Sequence, residues 1–258
     1  MTNMEILPLL SMNLSNPIIE GKSKKFYALT NDICFMVFKP HLRSITSNRE
    51  ENIVGTEYER LIACLYFMKK VEKIGIPTQL LYDKIVEIDG QLGLIVKKTT
   101  TIPLEFISRY YAAGSIVRLY PSLVKEGQKF KQPLYKFDLK QDVAVAGVDD
   151  PTLNENYIVG LEILTQDEFN VAKTMLSKIS DCINDDLLSK DIKLIDMKME
   201  FGFDNEHQIV LIDEISQDCI RANDIDTNES LTKDAFRNMK SDEEVLKVYR
   251  TFKERVCL

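Results

Sequence analysis

LIDMKMEFGFDNEHQIVLIDEISQDCIRAND, residues 194–224, carries the pattern around which the rest of the chain is organised. From Ile192 the residues alternate with period two. Ile195, Met197, Met199 and Phe201 fall on one face of a predicted strand, and Leu194, Asp196, Lys198 and Glu200 on the other. One face is apolar and belongs in a core; the other ends in three charges. Residues 202–206 read as a turn, and residues 208–212 as a returning strand that finishes in Asp213 and Glu214. Such a hairpin brings both acidic segments together. Like charges on neighbouring strands repel and resist losing water, so a cation is expected between them, most simply Mg²⁺ with oxygen ligands and a phosphate-bearing substrate. The plainer alternative is a solvated sheet face on which Lys198 neutralises its neighbours, and charge pattern alone slightly favours it. Residues 216–221 then form a polar, irregular stretch ending in Arg221, a side chain suited to two-pronged binding of phosphate or carboxylate.

With 258 residues the chain is long enough for one large domain or two packed lobes, and 45% hydrophobic and 28% charged residues are ordinary for a globular protein. A net charge of −7 argues against a general nucleic-acid surface, yet leaves room for a local basic pocket. The five cysteines are scattered, without a C-x-x-C pair, and only His41 and His207 accompany them, which argues against zinc and disulfide frameworks. No apolar run reaches the length of a membrane span, and the first residues lack a signal-peptide pattern; a cytoplasmic location without a membrane partner is expected.

Residues 18–29 read as two strands about a turn at Gly21, with Lys22, Lys24 and Lys25 placed to meet phosphates. The second glycine and Lys-Ser/Thr ending of a Walker A loop are missing, so the cluster alone is a weak signal, most short basic clusters being solvated surface. Residues 33–38 are a third strand. Residues 57–74 carry apolar positions at helical spacing, and residues 84–96 a hairpin about Asp89-Gly90, followed by Lys97 and Lys98. A strand through residues 102–109 delivers Arg109 to the small residues Ala113-Gly114-Ser115, which open a short helix suited to an anion or simply capped by serine. Residues 132–140 form a further strand. Asp142, Asp149, Asp150-Pro151 and Asn154-Glu155 are loop residues. Thr165 with Glu168, and Ser241 with Glu244, cap two late helices.

LIDMKMEFG followed by LIDEISQDCIR resembles the signature of the SAICAR synthetase family, purine-pathway ligases that join aspartate to a carboxyaminoimidazole ribotide using ATP. The likeness extends, in the family's order, through GKSKK, residues 97–105, residues 109–117 with Tyr110 where asparagine is usual, the Asp142–Glu155 loop, and LTKDAFR at residues 231–237. It implies an α+β fold of two lobes, residues 1–103 covering ATP and residues 104–258 forming the larger lobe, with substrates in the cleft. It further implies that Glu200 and Asp213 hold Mg²⁺ and nucleotide, and that Lys22, Lys24 and Lys98 meet the ATP phosphates. Arg109, Ser115 and Arg221 would bind the ribotide phosphate, with Asp196 and Lys198 beside the reacting carboxylate and amine. The partners implied are small molecules, and homo-oligomers are compatible with this.

One departure stands out. Between Phe38 and Ile62 the family carries an acidic S-A-F-D-like loop and then a K-G element before a helix, both contributing to the ribotide site. This chain has Pro40-His41-Leu42-Arg43-Ser44-Ile45-Thr46-Ser47-Asn48-Arg49 and later Val54-Gly55, so that aspartate and that lysine are missing. Gln217 stands for the usual proline, and Ala222-Asn223 where Leu-Trp is common. Three readings follow: the family's own reaction, a divergent ligase of another acid and amine, and a non-catalytic nucleotide-binding relative.

Overall fold

Two antiparallel sheets are bridged by a short extended segment, residues 77–81. The computed structural model describes residues 1–44, 47–140 and 151–257. After helix α1 (Asn3–Leu10) come strands β1 (Ile19–Glu20), β2 (Lys24–Ala28) and β3 (Ile33–Phe38), a small hairpin of β4 (His41–Ser44) and β5 (Arg49–Asn52), and helix α2 (Thr56–Lys73). Strands β6 (Val86–Ile88) and β7 (Gln91–Lys97) complete a first sheet of order β1-β2-β3-β7-β6. Asp89 and Gly90 turn between them with φ of 51° and 71°, the left-handed pair of a two-residue hairpin turn.

The second sheet takes β8 (Thr100–Tyr111), β9 (Lys129–Leu139), β10 (Thr152–Leu153), β11 (Ile192–Phe203), β12 (Ile209–Ile212) and β13 (Ile220–Asp224). Helices α3 (Ser115–Leu119), α4 (Glu155–Gly160) and α5 (Gln166–Leu188) are interleaved, and α6 (Asp234–Arg237) and α7 (Asp242–Cys257) close the chain. The order is β10-β9-β8-β11-β12, with β13 also paired to β11. Strand β12 pairs with β11 from Glu200 to Phe203, whereas β13 pairs from Ile192 to Met197. The same edge of β11 is therefore split, and residues 213–219 cross the gap, where the Lys198 amide donates to the Cys219 carbonyl at 2.8 Å.

The expected hairpin forms, antiparallel, with Glu200 opposite Ile212. Strict alternation fails at one point. A bulge between Leu194 and Asp196 inserts an extra residue, so Leu194 joins Met197, Met199 and Phe201 in the core, and Ile195, itself buried, packs outside that cluster at the wall of a cavity. Helix α5 backs this core. Thr165 caps it by accepting from the Glu168 amide at 3.3 Å, and Glu168 returns the bond to the Thr165 amide at 2.7 Å. Phe106 of β8 meets Phe201 edge-on at 4.8 Å and Phe137 at 5.5 Å, and Phe137 in turn meets Phe169 of α5 at 5.1 Å.

The sheets are joined by residues 77–81, which run beside both. Gln79 donates its amide to the Leu211 carbonyl at 2.9 Å, and its carbonyl accepts from the Lys97 amide at 2.7 Å. That splice places the end of β12 beside β2. A third, smaller core gathers Leu42, Ile53, Phe236, Val245 and Tyr249, seating the β4–β5 hairpin on α6 and α7. Asp142, Asp149 and Asp150, named above as loop residues, lie outside the described residues; Asn154 caps α4, accepting from the Tyr157 amide at 3.0 Å.

Candidate active site

Asp213 is where the chain leaves β12. Its φ of 62° lies in the left-handed region, which aspartate tolerates better than most residues, and the Gln79 side chain donates to its carbonyl at 2.8 Å. With this kink Asp213 lines the cleft between the sheets and Glu214 is buried behind it. Lys24, at the start of β2, lies 2.8 Å from Asp213 and 2.6 Å from Glu214. Burial alone would lower the Lys24 pKa, but Asp213 and Glu214 outweigh it and raise it above the ordinary lysine value. The reciprocal effect holds Asp213 below the usual carboxylate range, Lys24 and Lys198 overcoming the cost of burial.

Behind this pair, Arg60 of α2 is fully buried and lies 3.5 Å from Glu214 and 3.4 Å from Asp218. It also donates to the Lys39 carbonyl. Tyr249 donates to Asp218 at 2.6 Å and Lys233 lies 3.1 Å from it, so Asp218 is held well below its usual value although burial pushes the other way. Glu214, 2% exposed and bonded to Lys24, Arg60 and Ser216, fixes the shape of the 213–219 crossing.

Strand β11 supplies the other wall. Asp196 has an arginine opposite it on each neighbouring strand: Arg109 on β8 at 3.2 Å and Arg221 on β13 at 3.4 Å. Arg221 also reaches Asp234 at 3.0 Å and packs on Gly114, whose φ is 66° and where a Cβ would stand 3.0 Å from the guanidinium. Two residues along β11, Lys198 lies 2.7 Å from Glu105 and 3.2 Å from Glu200, carboxylates that stand directly opposite each other on β8 and β11. Lys140 completes the cluster by pairing with Glu200. Burial would lower the Lys198 pKa, but Glu200 and Glu105 hold it well above the ordinary value.

These walls enclose a continuous cleft. One cavity of about 490 Å³ contains Arg109, Asp196, Lys198, Asp213 and Arg221, and a second of about 780 Å³ contains Glu200, Lys140 and Phe26. Lys22, Lys24, Glu105, Lys198 and Asp213 line both. Of the residues singled out in the sequence, Lys98 is exposed and lines none of the cavities described, and Ser115 is absent from their walls although Ala113 and Gly114 line a third cavity beside Arg221. Arg60 and Lys140 carry no local signal, and Glu214, read with Asp213 as the acidic end of the returning strand, gains its buried partners only in the fold. The opposition of Glu105 to Glu200 depends on β8 register, which no local pattern reveals.

Glu200 and Asp213 supply hard oxygen donors on an open cleft, with room for water and phosphate oxygens, and this suits Mg²⁺, which binds through one or two carboxylates and keeps several waters. Among the described residues, Asp213, Glu214 and Cys219 bring possible ligand atoms within 4.8 Å of one another. The Cys219 thiol, pushed well above its usual pKa by burial and by Glu214, stays protonated and offers a hard cation nothing.

The model of the family described as SAICAR synthetase matches residues 17–252. The chain belongs to the SAICAR synthetase family. A phosphoribosylaminoimidazole-succinocarboxamide synthase from Caldanaerobacter subterraneus is 36% identical over 223 residues, covering 85% of this chain and 89% of that protein. The crystal structure of the synthase of that name from Ehrlichia chaffeensis superposes with a TM-score of 0.84 at 29% identity, over 94% of this chain and 98% of its own. A SAICAR synthetase in complex with ADP superposes with a TM-score of 0.82 at 31% identity, over 92% and 96%. The SAICAR synthetase match spans the stretch between Phe38 and Ile62 as well.

Proposed function

We propose that the cleft performs the SAICAR synthetase reaction, forming an amide between aspartate and the carboxyl group of carboxyaminoimidazole ribotide with ATP as the driving substrate. The chain is an ATP-dependent carbon–nitrogen ligase of that family. The carboxylate oxygen of the ribotide attacks the γ-phosphorus of ATP, the bond from that phosphorus to the β-phosphate oxygen breaks, and ADP leaves. The amine nitrogen of aspartate then attacks the acyl carbon, inorganic phosphate departs, and the amine proton is lost to solvent.

What supports this reading is the convergence on one cleft of an acidic pair at Glu200 and Asp213, the half-buried cation Lys198, and two arginines sharing Asp196. Lys22 and Lys24 would meet the ATP phosphates, and Lys198 and Asp196 would flank the reacting carbon. Catalysis of this kind is mostly positioning and charge neutralisation. Arg109 and Arg221, with Ser115 and the neighbouring small residues, would bind the ribotide phosphate. Glu200 and Asp213 would hold Mg²⁺, which when bound offsets charge on the phosphates. Residues 1–103 and 104–258 would act as the two lobes about the nucleotide, in the cytoplasm. Bound ADP in the related synthetase agrees with the nucleotide assignment.

The test is ADP release from the purified protein with Mg·ATP. Release that requires both aspartate and the ribotide is expected; release indifferent to the ribotide counts against it. The second reading, a ligase of another acid and amine, rests on His41 and Arg43 lining the cleft where the family has an acidic loop. Rescue of a purine auxotroph lacking the synthetase would dispose of it.

A further inference from the structure

Strand β4 alternates: Leu42 and Ser44 are buried, while His41 and Arg43 are more open to the cavity that holds Arg109, Asp196 and Lys198. The hairpin that carries them is firmly seated. Arg49 of β5, itself buried, donates to the carbonyls of Phe236 at 3.2 Å and Lys240 at 2.7 Å, and its guanidinium stacks 4.3 Å from the centre of the Phe236 ring. Nothing in that anchorage needs His41 or Arg43.

Most cations of the cleft are already committed to carboxylates inside the protein. Lys24 has two, Lys198 has two, and Arg109 and Arg221 share Asp196. His41 and Arg43 have one between them: Glu50, on the opposite strand, lies 3.2 Å from the His41 ring and 3.4 Å from Arg43 Nε, and its side chain is 55% exposed. Among the described residues the Arg43 side chain makes no hydrogen bond of ordinary geometry, which leaves its Nη fork for a planar anion. Arg43, held by this one solvent-exposed carboxylate among the described residues, gives it up cheaply, because such surface pairs contribute little, and the His41 ring is kept in place by Asn52 Oδ1 at 3.2 Å.

Resting on the proposed ligase reading, we infer that His41 and Arg43 recognise a carboxylate of the amine substrate and so select a dicarboxylic amino acid. His41 and Arg43 line the same cavity as Lys24, Arg109, Asp196 and Lys198, which puts them within reach of the negative charge that an incoming amine substrate carries into it. These two residues are specificity determinants; the reacting atoms are handled by others.

Steady-state kinetics on the full chain test this, varying aspartate at saturating Mg·ATP and ribotide. In Arg43→Gln and His41→Gln the KM for aspartate should rise at least tenfold, with kcat and the KM values for ATP and ribotide within about threefold of wild type, and Arg43→Lys should recover part of the loss. An unchanged KM for aspartate overturns the inference, as does a rise confined to the ribotide or a lowered melting temperature without any kinetic effect. A second measurement needs no turnover: succinate or aspartate, added with Mg·ADP, should raise the melting temperature of wild type and leave Arg43→Gln unmoved. Should wild type turn over no ATP with this substrate pair yet keep that thermal contrast, the function reading fails and the carboxylate site stands. No contrast in either measurement removes the site.

Discussion

The Lys24 ammonium and the Asp213 carboxylate lie 2.8 Å apart across the junction of the two sheets, and each is held charged by the other against burial. Lys24→Met removes the shared cation and leaves Asp213 and the buried Glu214 side by side, with Arg60 beside Glu214 and Lys198 acting on Asp213 from farther off to offset them. Breaking a buried pair in this way costs about 3–5 kcal/mol. A large drop in the urea midpoint and the loss of ADP release are expected together, and a variant of unchanged midpoint would contradict the pairing.

Stability should also follow pH in a defined way. Asp213, Asp218 and Asp224 have folded pKa values below their unfolded ones, Asp224 at about 2 through the Thr227 amide and Arg255. Each therefore stabilises the fold above the unfolded carboxylate value of about 3.9 and loses that contribution as pH falls through the folded value. Lys24 and Lys198 are raised, so their contribution is complete below about 10.4 and fades as pH climbs through their folded values. Melting temperature against pH should show a plateau flanked by an acid and an alkaline decline. A steep change between about pH 5 and 8 would point to groups other than these.

Lys198 separates two carboxylates that β-pairing sets face to face. Lys198→Gln should lower kcat by about 100-fold or more, on the scale of losing a group that stabilises transition-state charge. It should also destabilise the fold, because directly opposed like charges remain. Adding Glu105→Gln to that variant should return stability without returning activity. Recovery of both would mean that Lys198 only neutralises its neighbours, the plainer reading of the strand pattern.

Arg221 offers a cleaner separation of binding from folding. It sits at the cleft edge against Gly114, shares Asp196 with Arg109 and keeps its own contact with Asp234. Arg221→Gln should raise the KM for the phosphorylated substrate at least tenfold while the KM for ATP stays put. An equal rise in both would show that the arginine serves the cleft as a whole.

Much of this was legible from residue order alone, because periodicity and turn chemistry are local. The β11–β12 hairpin, the Asp89-Gly90 turn, the Thr165 and Ser241 caps and the small residues before α3 all follow from neighbours in sequence. What was not legible is long-range. Arg60 gains its meaning from residues 154 and 158 positions away, and Lys140 pairs with Glu200 only because β9 and β11 flank the same strand. Helix α1 was missed for a different reason: it contains Pro8, and its start is fixed by the Glu5 carboxylate accepting from the Thr2 amide at 2.7 Å, with little apolar periodicity. A bulge likewise leaves no trace in hydrophobic pattern.

That bulge gives the sharpest contrast between pattern and fold. Period-two reading puts Leu194 on the charged face, whereas the extra residue before Asp196 turns it into the core and moves Ile195, which stays buried, to a cavity wall. Leu194 is completely buried among core residues, so Leu194→Ala should cost about 2–5 kcal/mol from lost transfer energy and an unfilled cavity. Ile195 is buried too, but it borders a cavity and lies outside the main core cluster, so its truncation should lose fewer packed neighbours. Ile195→Ala should cost less than Leu194→Ala, toward the lower end of that range of about 2–5 kcal/mol. Equilibrium unfolding of the two variants compares them directly. If Ile195→Ala proved the costlier, β11 would run in unbroken alternation, and Asp196 would no longer face both Arg109 and Arg221.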